Sequence, residues 1–311
     1  MKRILIHVVL TLGLITAFAS AYTAEEWVDK GVDYSKEGKY ASALSCLDEA
    51  IEADPDYVPA WGNKGIVLRM VGDFESAVEQ YDKVLELDPE DPYAWNNKGV
   101  ALRNLGRYEE AVECYDRALE LNPEYVYALN NKGFALYNMG KYYEAIRCYD
   151  QALELNPDYA KGWYNKGNVL LAMGDYAEAA VSYREALRLE PENLYIHIFL
   201  CICETEAGVD AEATIVKALA TEDKAWPYDA VRFFAGEISA GALIAAAGVD
   251  AGKLCEAHCY VAFSYKFAGD SIKAKEHFQA SLDTEMVGYV EYFVAGKELA
   301  RMMVTYDETG E

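Results

Sequence analysis

The chain lacks the short signatures by which most enzymes announce themselves. It has no glycine-rich phosphate loop, no Gly-x-Ser-x-Gly elbow and no His-Glu-x-x-His pair. Those motifs fix a nucleophile, a phosphate or a metal at a set distance from a base, so the sequence offers hydrolase or nucleotide chemistry no anchor. Paired acids such as Glu109 and Glu110 fall on helical faces, where a solvated charge is the ordinary explanation. No catalytic residue, metal ligand or cofactor site is therefore assigned. Basic residues are also scarce, 28 Lys and Arg against 52 Asp and Glu, for a formal charge of −24. Leaving out Lys2 and Arg3 makes it −26. Phosphate backbones demand a basic face, which excludes nucleic acid as a partner. The excess acid favours solubility and neutral or basic partners. Linker-like and low-complexity segments are missing as well.

One long uncharged run exists, Ile4 to Phe18, preceded by Lys2 and Arg3 and followed by Ala19, Ser20 and Ala21. That is the n-region, h-region and small-residue cleavage pattern of a secretory signal peptide over residues 1–21. As a membrane anchor the run is marginal against the ~20 residues a span needs, and it contains His7. Cleavage after Ala21 is expected, leaving no stable membrane span, with an uncleaved anchor as the alternative. No cysteine stands at the cleavage site to carry a bacterial-type lipid. The protein is expected to be exported, to the periplasm, the cell envelope or the medium.

What the chain has in abundance is self-similarity at one fixed step. Trp27, Trp61, Trp95, Leu129 and Trp163 keep that step, as do Gly31, Gly65, Gly99, Gly133 and Gly167. A second glycine follows it (Gly38, Gly72, Gly106, Gly140, Gly174), then Ala43, Ala77, Ala111, Ala145 and Ala179, then Pro55, Pro89, Pro123, Pro157 and Pro191. A fixed period of this length means a solenoid. Within residues 92–125, Trp95, Gly99 and Leu102 share one helical face, and Tyr108, Ala111, Tyr115 and Ala118 share another. Gly106 supplies the stop between them, and Asn122-Pro123 ends the second helix. A mid-helix glycine costs ~1 kcal/mol against alanine, so its recurrence implies that the two helices approach closely there. Gly99 and Ala111 read as holes, Trp95 and Tyr115 as knobs. Neither helix can bury its stripe alone, so neighbouring units must stack.

At these offsets the chain resembles the tetratricopeptide repeat (TPR) family over about half its length. The resemblance implies an all-α fold, a right-handed superhelical solenoid of helical hairpins. Five contiguous units are expected over residues 24–57, 58–91, 92–125, 126–159 and 160–193. A degenerate repeat and short helices follow over 194–254, with Gly208 and Ala213 still in phase, His197 at the tryptophan position and Cys201 at the first glycine. A late unit spans 255–288, with His258 where tryptophan stood. A capping helix (289–303) and a polar tail (304–311) complete the chain. One departure from the family is systematic: lysine precedes the first glycine at Lys30, Lys64, Lys98, Lys132 and Lys166. The expectation is a stem along the apolar seam with the ammonium in water.

In this family the first helices line a concave groove. The candidate groove residues are Asn63, Arg69, Asn96, Asn97, Arg103, Asn104, Asn130, Asn131, Phe134, Tyr137, Asn138, Tyr164, Asn165 and Asn168. None of the twenty inward positions in repeats two to five is acidic, although 52 acids in 311 residues would give about three. Asn63, Asn97, Asn131 and Asn165 stand at one position in four successive repeats. Each amide offers a donor and an acceptor, so the row can bind a peptide backbone whatever its side chains. An exported, non-catalytic scaffold for a peptide or protein segment is the first reading. An envelope assembly component acting through its convex face or C-terminal cap is the alternative. The C-terminal part, through Trp226, Pro227, residues 236–239, Gly269, Asp270, Glu291, Tyr292, Glu298 and Leu299, is similar to bacterial envelope repeat lipoproteins that act as adaptors for cell-wall hydrolases.

Seven cysteines in an exported chain raise the question of disulfides. Cys46, Cys114 and Cys148 recur at equivalent positions of different repeats, beyond bridging distance, and are expected unpaired. Cys201, Cys203, Cys255 and Cys259 cluster with His197 and His258. His197–Cys201 and Cys255–Cys259 are i,i+4 pairs able to present soft ligands. Packing of cysteine as a small hydrophobe is the simpler reading, and a disulfide among these four stays open.

Mass spectrometry of the protein from its native source should find Tyr22 at or near the N-terminus. Intact Met1 recovered with membranes would instead establish an anchor.

Overall fold

The computed structural model describes residues 22–221 and 224–309; the signal-peptide expectation for residues 1–21 lies outside them. Seventeen helices and no strand occur among the described residues. The described residues divide into two compact units that part between Ala135 and Leu136.

The first unit contains α1 (Ala24–Lys36), α2 (Tyr40–Ala53), α3 (Val58–Met70), α4 (Phe74–Leu87), α5 (Pro92–Asn104), α6 (Tyr108–Leu121) and most of α7 (Val126–Asn138). They pair as hairpins, α1 with α2, α3 with α4, α5 with α6. The pairing rests on a ring against a glycine. A Cβ built on Gly99 would lie 2.6 Å from the Tyr115 ring, and one on Gly65 2.8 Å from the Tyr81 ring. Real Cβ contacts are never so short, so both positions require glycine, and the rings they admit are fully buried. Gly106 turns the chain at φ +74°, a conformation that costs any residue with a Cβ roughly 1–2 kcal/mol.

The recurring proline and tryptophan prove to be one device. The indole Nε1–H of Trp61 donates to the carbonyl of Pro55 at 2.8 Å, and Trp95 to Pro89 at 3.0 Å. The Asp or Asn before Pro55, Pro89, Pro123 and Pro157 accepts the N–H two residues on, as Asn122 does from Glu124 at 3.2 Å. The backbone groups that proline leaves exposed at the turn between repeats are thereby satisfied.

The lysine expectation needs correction. The ammoniums of Lys64, Lys98 and Lys132 sit 2.6 Å from Asp48, Asp82 and Asp116, each on the second helix of the preceding repeat. Lys166 and Asp150 repeat the pair in the second unit. The lysine side chains are only 21–25% exposed, so the stem does lie along the seam. Its head, however, bonds the neighbouring repeat. Partly exposed pairs of this kind contribute ~0.2–1 kcal/mol each, and their regularity sets repeat against repeat in register.

The second unit continues with α8 (Tyr142–Leu155), α9 (Ala160–Met173) and α10 (Tyr176–Leu189). Gly167 meets the Tyr183 ring, and Trp163 donates to Pro157 at 2.9 Å. After α11 (Leu194–Glu206) the mate α12 (Glu212–Leu219) has only 8 residues, against 14 in α10. Short α13 (Tyr228–Phe234) and α14 (Ala240–Ala247) follow, then the late hairpin α15 (Ala251–Phe267) and α16 (Ser271–Leu282). The last helix, α17 (Val290–Thr309), takes in residues 304–309, expected as a tail.

α17 also does more than close an end. It packs on α15 and α16 and returns to α9. Glu298, 1% exposed, accepts from Tyr176 Oη at 2.7 Å and Lys266 Nζ at 2.6 Å, and pairs with Arg301. Arg301 in turn donates to the Ala172 carbonyl near the C-terminus of α9 at 3.1 Å, where a cation complements the helix dipole. Three further acids, Glu204, Glu256 and Glu291, are buried. Glu256 accepts from Trp226 Nε1 at 2.7 Å, and Glu291 from Tyr260 Oη at 2.6 Å. Burial, and then the charge of Glu291, pushes Glu256 up to about 8. Burial raises Glu291 as well.

Two outcomes follow from this packing. Gly99→Ala should cost ~1–3 kcal/mol by overpacking and Tyr115→Ala ~3–5 kcal/mol by cavity formation, both read as shifts in denaturation midpoint. Between pH 4.5 and about 8 the folded chain keeps a proton on Glu256 that the unfolded chain releases. Stability is therefore highest at the acid end of that window, falls as pH rises by at most ~1.4 kcal/mol per unit, and levels off above it. Glu256→Gln should flatten the slope in denaturant titrations across that window.

Candidate binding groove

In the first unit the first helices lie side by side, α1 against α3 and α3 against α5. Asn63, Arg69, Asn97, Arg103, Asn131 and Phe134 are half-buried along them, and Asn104 is exposed. The amides are not equivalent. Asn63 Nδ2 donates to the Pro59 carbonyl at 2.8 Å, and Asn104 Nδ2 to Val100 at 2.7 Å, both one turn back. Asn97 makes no side-chain hydrogen bond among the described residues. Asn131 Nδ2 donates to Asn96 Oδ1 at 3.0 Å, and its own oxygen lies 3.5 Å from an Arg103 nitrogen. Asn96 (5% exposed) and Asn130 (2%) are buried, so they serve packing rather than a partner.

Two arginines define the electrostatics of this face. Neither Arg69 nor Arg103 has a carboxylate within ion-pairing distance among the described residues, and the Arg69 Nε is buried without a partner. The Arg103 guanidinium lies 5.0 Å from the centre of the Phe134 ring. Beside Asn63 a pocket of about 270 Å³ is lined mainly by Val32, Leu47, Ile66, Val67 and Met70. The surface thus offers unpaired positive charge, free amide capacity and an apolar recess.

In the second unit the expected groove residues are largely internal. Tyr137 is buried with its ring 5.1 Å from Phe293 of α17 and 5.8 Å from Tyr142. Asn165 is 6% exposed. Asn168 is buried and accepts from Tyr183 Oη at 2.8 Å. Tyr164 and Asn138 are half-buried, with Tyr164 against Tyr183 and Phe199. The expectation of four equivalent rungs therefore fails at Asn165. In this unit α17 also returns to α9, where Arg301 meets the Ala172 carbonyl.

The ligand pairs suggested by spacing are used elsewhere. His197 is 4% exposed, and its Nε2 lies 2.9 Å from the Pro191 carbonyl, the place filled by indole nitrogen in earlier repeats. Burial lowers its pKa and keeps it neutral. Cys201, Cys255 and Cys259 are buried, and burial pushes the Cys201 thiol up to about 12. None of the seven cysteines is in a disulfide, and no cluster of three His, Cys, Asp or Glu ligands occurs among the described residues. A cleft of about 680 Å³ that no sequence signal marked lies beside α10, α11 and α12, lined in part by Arg184, His197, Glu204 and Lys217. It opens because α12 stops short of the length of α10.

Comparison with known proteins agrees with this architecture. A search of curated proteins gives no match. Among solved structures, PilW, a type IV pilus biogenesis factor, matches 67% of this chain and 97% of its own at 19% identity and a TM-score of 0.61. The pilF protein of Pseudomonas aeruginosa matches 68% and 97% at 22% identity and 0.58. A tetratricopeptide repeat protein from Parabacteroides merdae matches 90% and 98% at 18% identity and 0.57. At these identities the likenesses show the fold alone. The tetratricopeptide repeat profile itself matches residues 28–92, 92–125, 126–159 and 160–193. With that profile covering residues 28–193, just over half the chain, and its hairpins standing in the structure, the protein belongs to the tetratricopeptide repeat family.

Proposed function

We propose that the protein is an exported scaffold that holds an extended, acid-bearing protein segment on the first-helix face of its first unit. The family fits a protein-interaction role, and no described helix is long and apolar enough to cross a membrane. The observation that carries the reading is the pair Arg69 and Arg103. In a chain with 52 acidic residues, these two guanidiniums stand on one face without a carboxylate partner. Arginine presents a planar fork that matches carboxylate geometry, so an acidic side chain supplied from outside completes both sites.

Amide capacity on Asn63, Asn97 and Asn131 then meets the backbone. Adjacent helices pack ~10 Å apart and an extended chain advances ~3.3 Å per residue, so successive rungs meet every third residue and three rungs span about six. The apolar pocket beside Asn63 receives one aliphatic side chain. Export rests on the leader pattern at residues 1–21.

The alternative, an assembly component working through another face, draws on an aromatic group at the repeat edge. Tyr93 (58% exposed) and Tyr127 (60%) flank Tyr125, with ring centres 5.2 and 6.2 Å from it.

A peptide array of random decamers separates the two. Wild type should select peptides containing Asp or Glu, with binding that weakens as salt rises. Arg69→Ala with Arg103→Ala should weaken the selected peptides at least tenfold, and Asn97→Ala with Asn131→Ala should do so irrespective of peptide sequence, all with unchanged helicity. Equal binding by these variants, coupled with loss on Tyr93→Ala and Tyr127→Ala, would transfer the function to the edge.

A further inference from the structure

Of the four histidines, His197 is tied to a carbonyl, and His258 and His277 face each other across the late hairpin α15–α16. Their Nδ1 atoms are 2.9 Å apart and their rings stack with centres 5.2 Å apart. The far face of His277 lies on Tyr265 at 5.5 Å. Ala274, Phe278 and Phe263 of the same hairpin are fully buried, so the hairpin that carries the two rings is well packed. Both histidines are only half-buried, so ions in solution reach them. Burial lowers both pKa values, and the neighbouring imidazole lowers that of His258 further, so neutral rings prevail at neutral pH.

We infer that His258 and His277 form a two-histidine site for a divalent copper or nickel ion, bound through both Nδ1 atoms. The two nitrogens are joined by a hydrogen bond, whose proton a metal ion would displace. Metal–imidazole bonds are about 2.0–2.1 Å, so donors 2.9 Å apart subtend about 90° at the ion. That is the angle between neighbouring positions of a square-planar or octahedral ion. The order of intrinsic affinities also places Cu²⁺ above Ni²⁺ and Zn²⁺. Binding needs no net proton loss, because the ring that donates at Nδ1 can carry its proton on Nε2 instead. Cys255 and Cys259 do not compete as ligands: both are buried, and burial keeps their thiols protonated. With no third His, Cys, Asp or Glu grouped with the pair among the described residues, the remaining positions fall to water or to a donor from another molecule.

The test is titration of the purified full chain with CuSO₄ in the presence of glycine as competing chelator, followed by electron paramagnetic resonance of the one-to-one complex. Expected are one Cu²⁺ per chain, hyperfine coupling to two imidazole nitrogens, and Zn²⁺ binding at least tenfold weaker. His258→Gln and His277→Gln should each weaken Cu²⁺ at least tenfold and remove one nitrogen coupling. Far-UV circular dichroism on both variants confirms that they are folded. Oxygen-only ligation in the wild type, Zn²⁺ bound as tightly as Cu²⁺, or unchanged Cu²⁺ affinity in both folded variants would overturn the site.

Discussion

A tyrosine ring lies against a helical glycine so closely that no Cβ fits between them, and the hairpins depend on that contact. It holds at Gly65 with Tyr81, Gly99 with Tyr115 and Gly167 with Tyr183. A helix carrying a mid-length glycine gives up roughly 1 kcal/mol of propensity. Full burial of a tyrosine returns more than that, since aromatic side chains remove roughly 150–250 Å² each from water. The exchange is favourable only if the two helices cross at that point, and this fixes the hairpin geometry in every repeat that uses it.

Two polar devices carry the pattern from one repeat to the next. The indole-to-proline bond orients each first helix on the turn before it, and the lysine–aspartate pair joins it to the preceding second helix. Neither is a large energy by itself. Their value is register, because a helix slipped by one residue would lose both. The chain shows what each device requires by where it varies. Leu129, at the fourth tryptophan position, has no nitrogen to donate, whereas His197 restores the bond with an imidazole. Where the ladder ends, Arg184 replaces the aspartate and pairs with Glu204 at 2.8 Å.

The first-helix face gains its binding character from the same economy. In repeats two to five acid is confined to second helices and turns, where it is solvated or paired with lysine or arginine. Arg69 and Arg103 are left without a carboxylate partner on a surface of amides. In the second unit the expected groove asparagines Asn165 and Asn168 are buried, and α17 supplies an acid of its own, Glu298, to Tyr176, Lys266 and Arg301.

The repeat period by itself determined the hairpins, their boundaries and the identity of knobs and holes. Each of those follows from spacing along one chain and recurs enough times to be read without coordinates. The lysine–aspartate ladder was half legible. The lysines stood out, but their partners lie on the helix before, and sequence spacing does not convert that separation into contact. Only the tertiary structure decided which asparagines remain open: Asn63, Asn97 and Asn131 are half-buried, whereas Asn165 is buried. It also decided that His258 meets His277 rather than a cysteine. Helical periodicity specifies the face on which a side chain sits. What covers that face is settled by where distant segments come to rest, and a single unaligned sequence carries no signal for that.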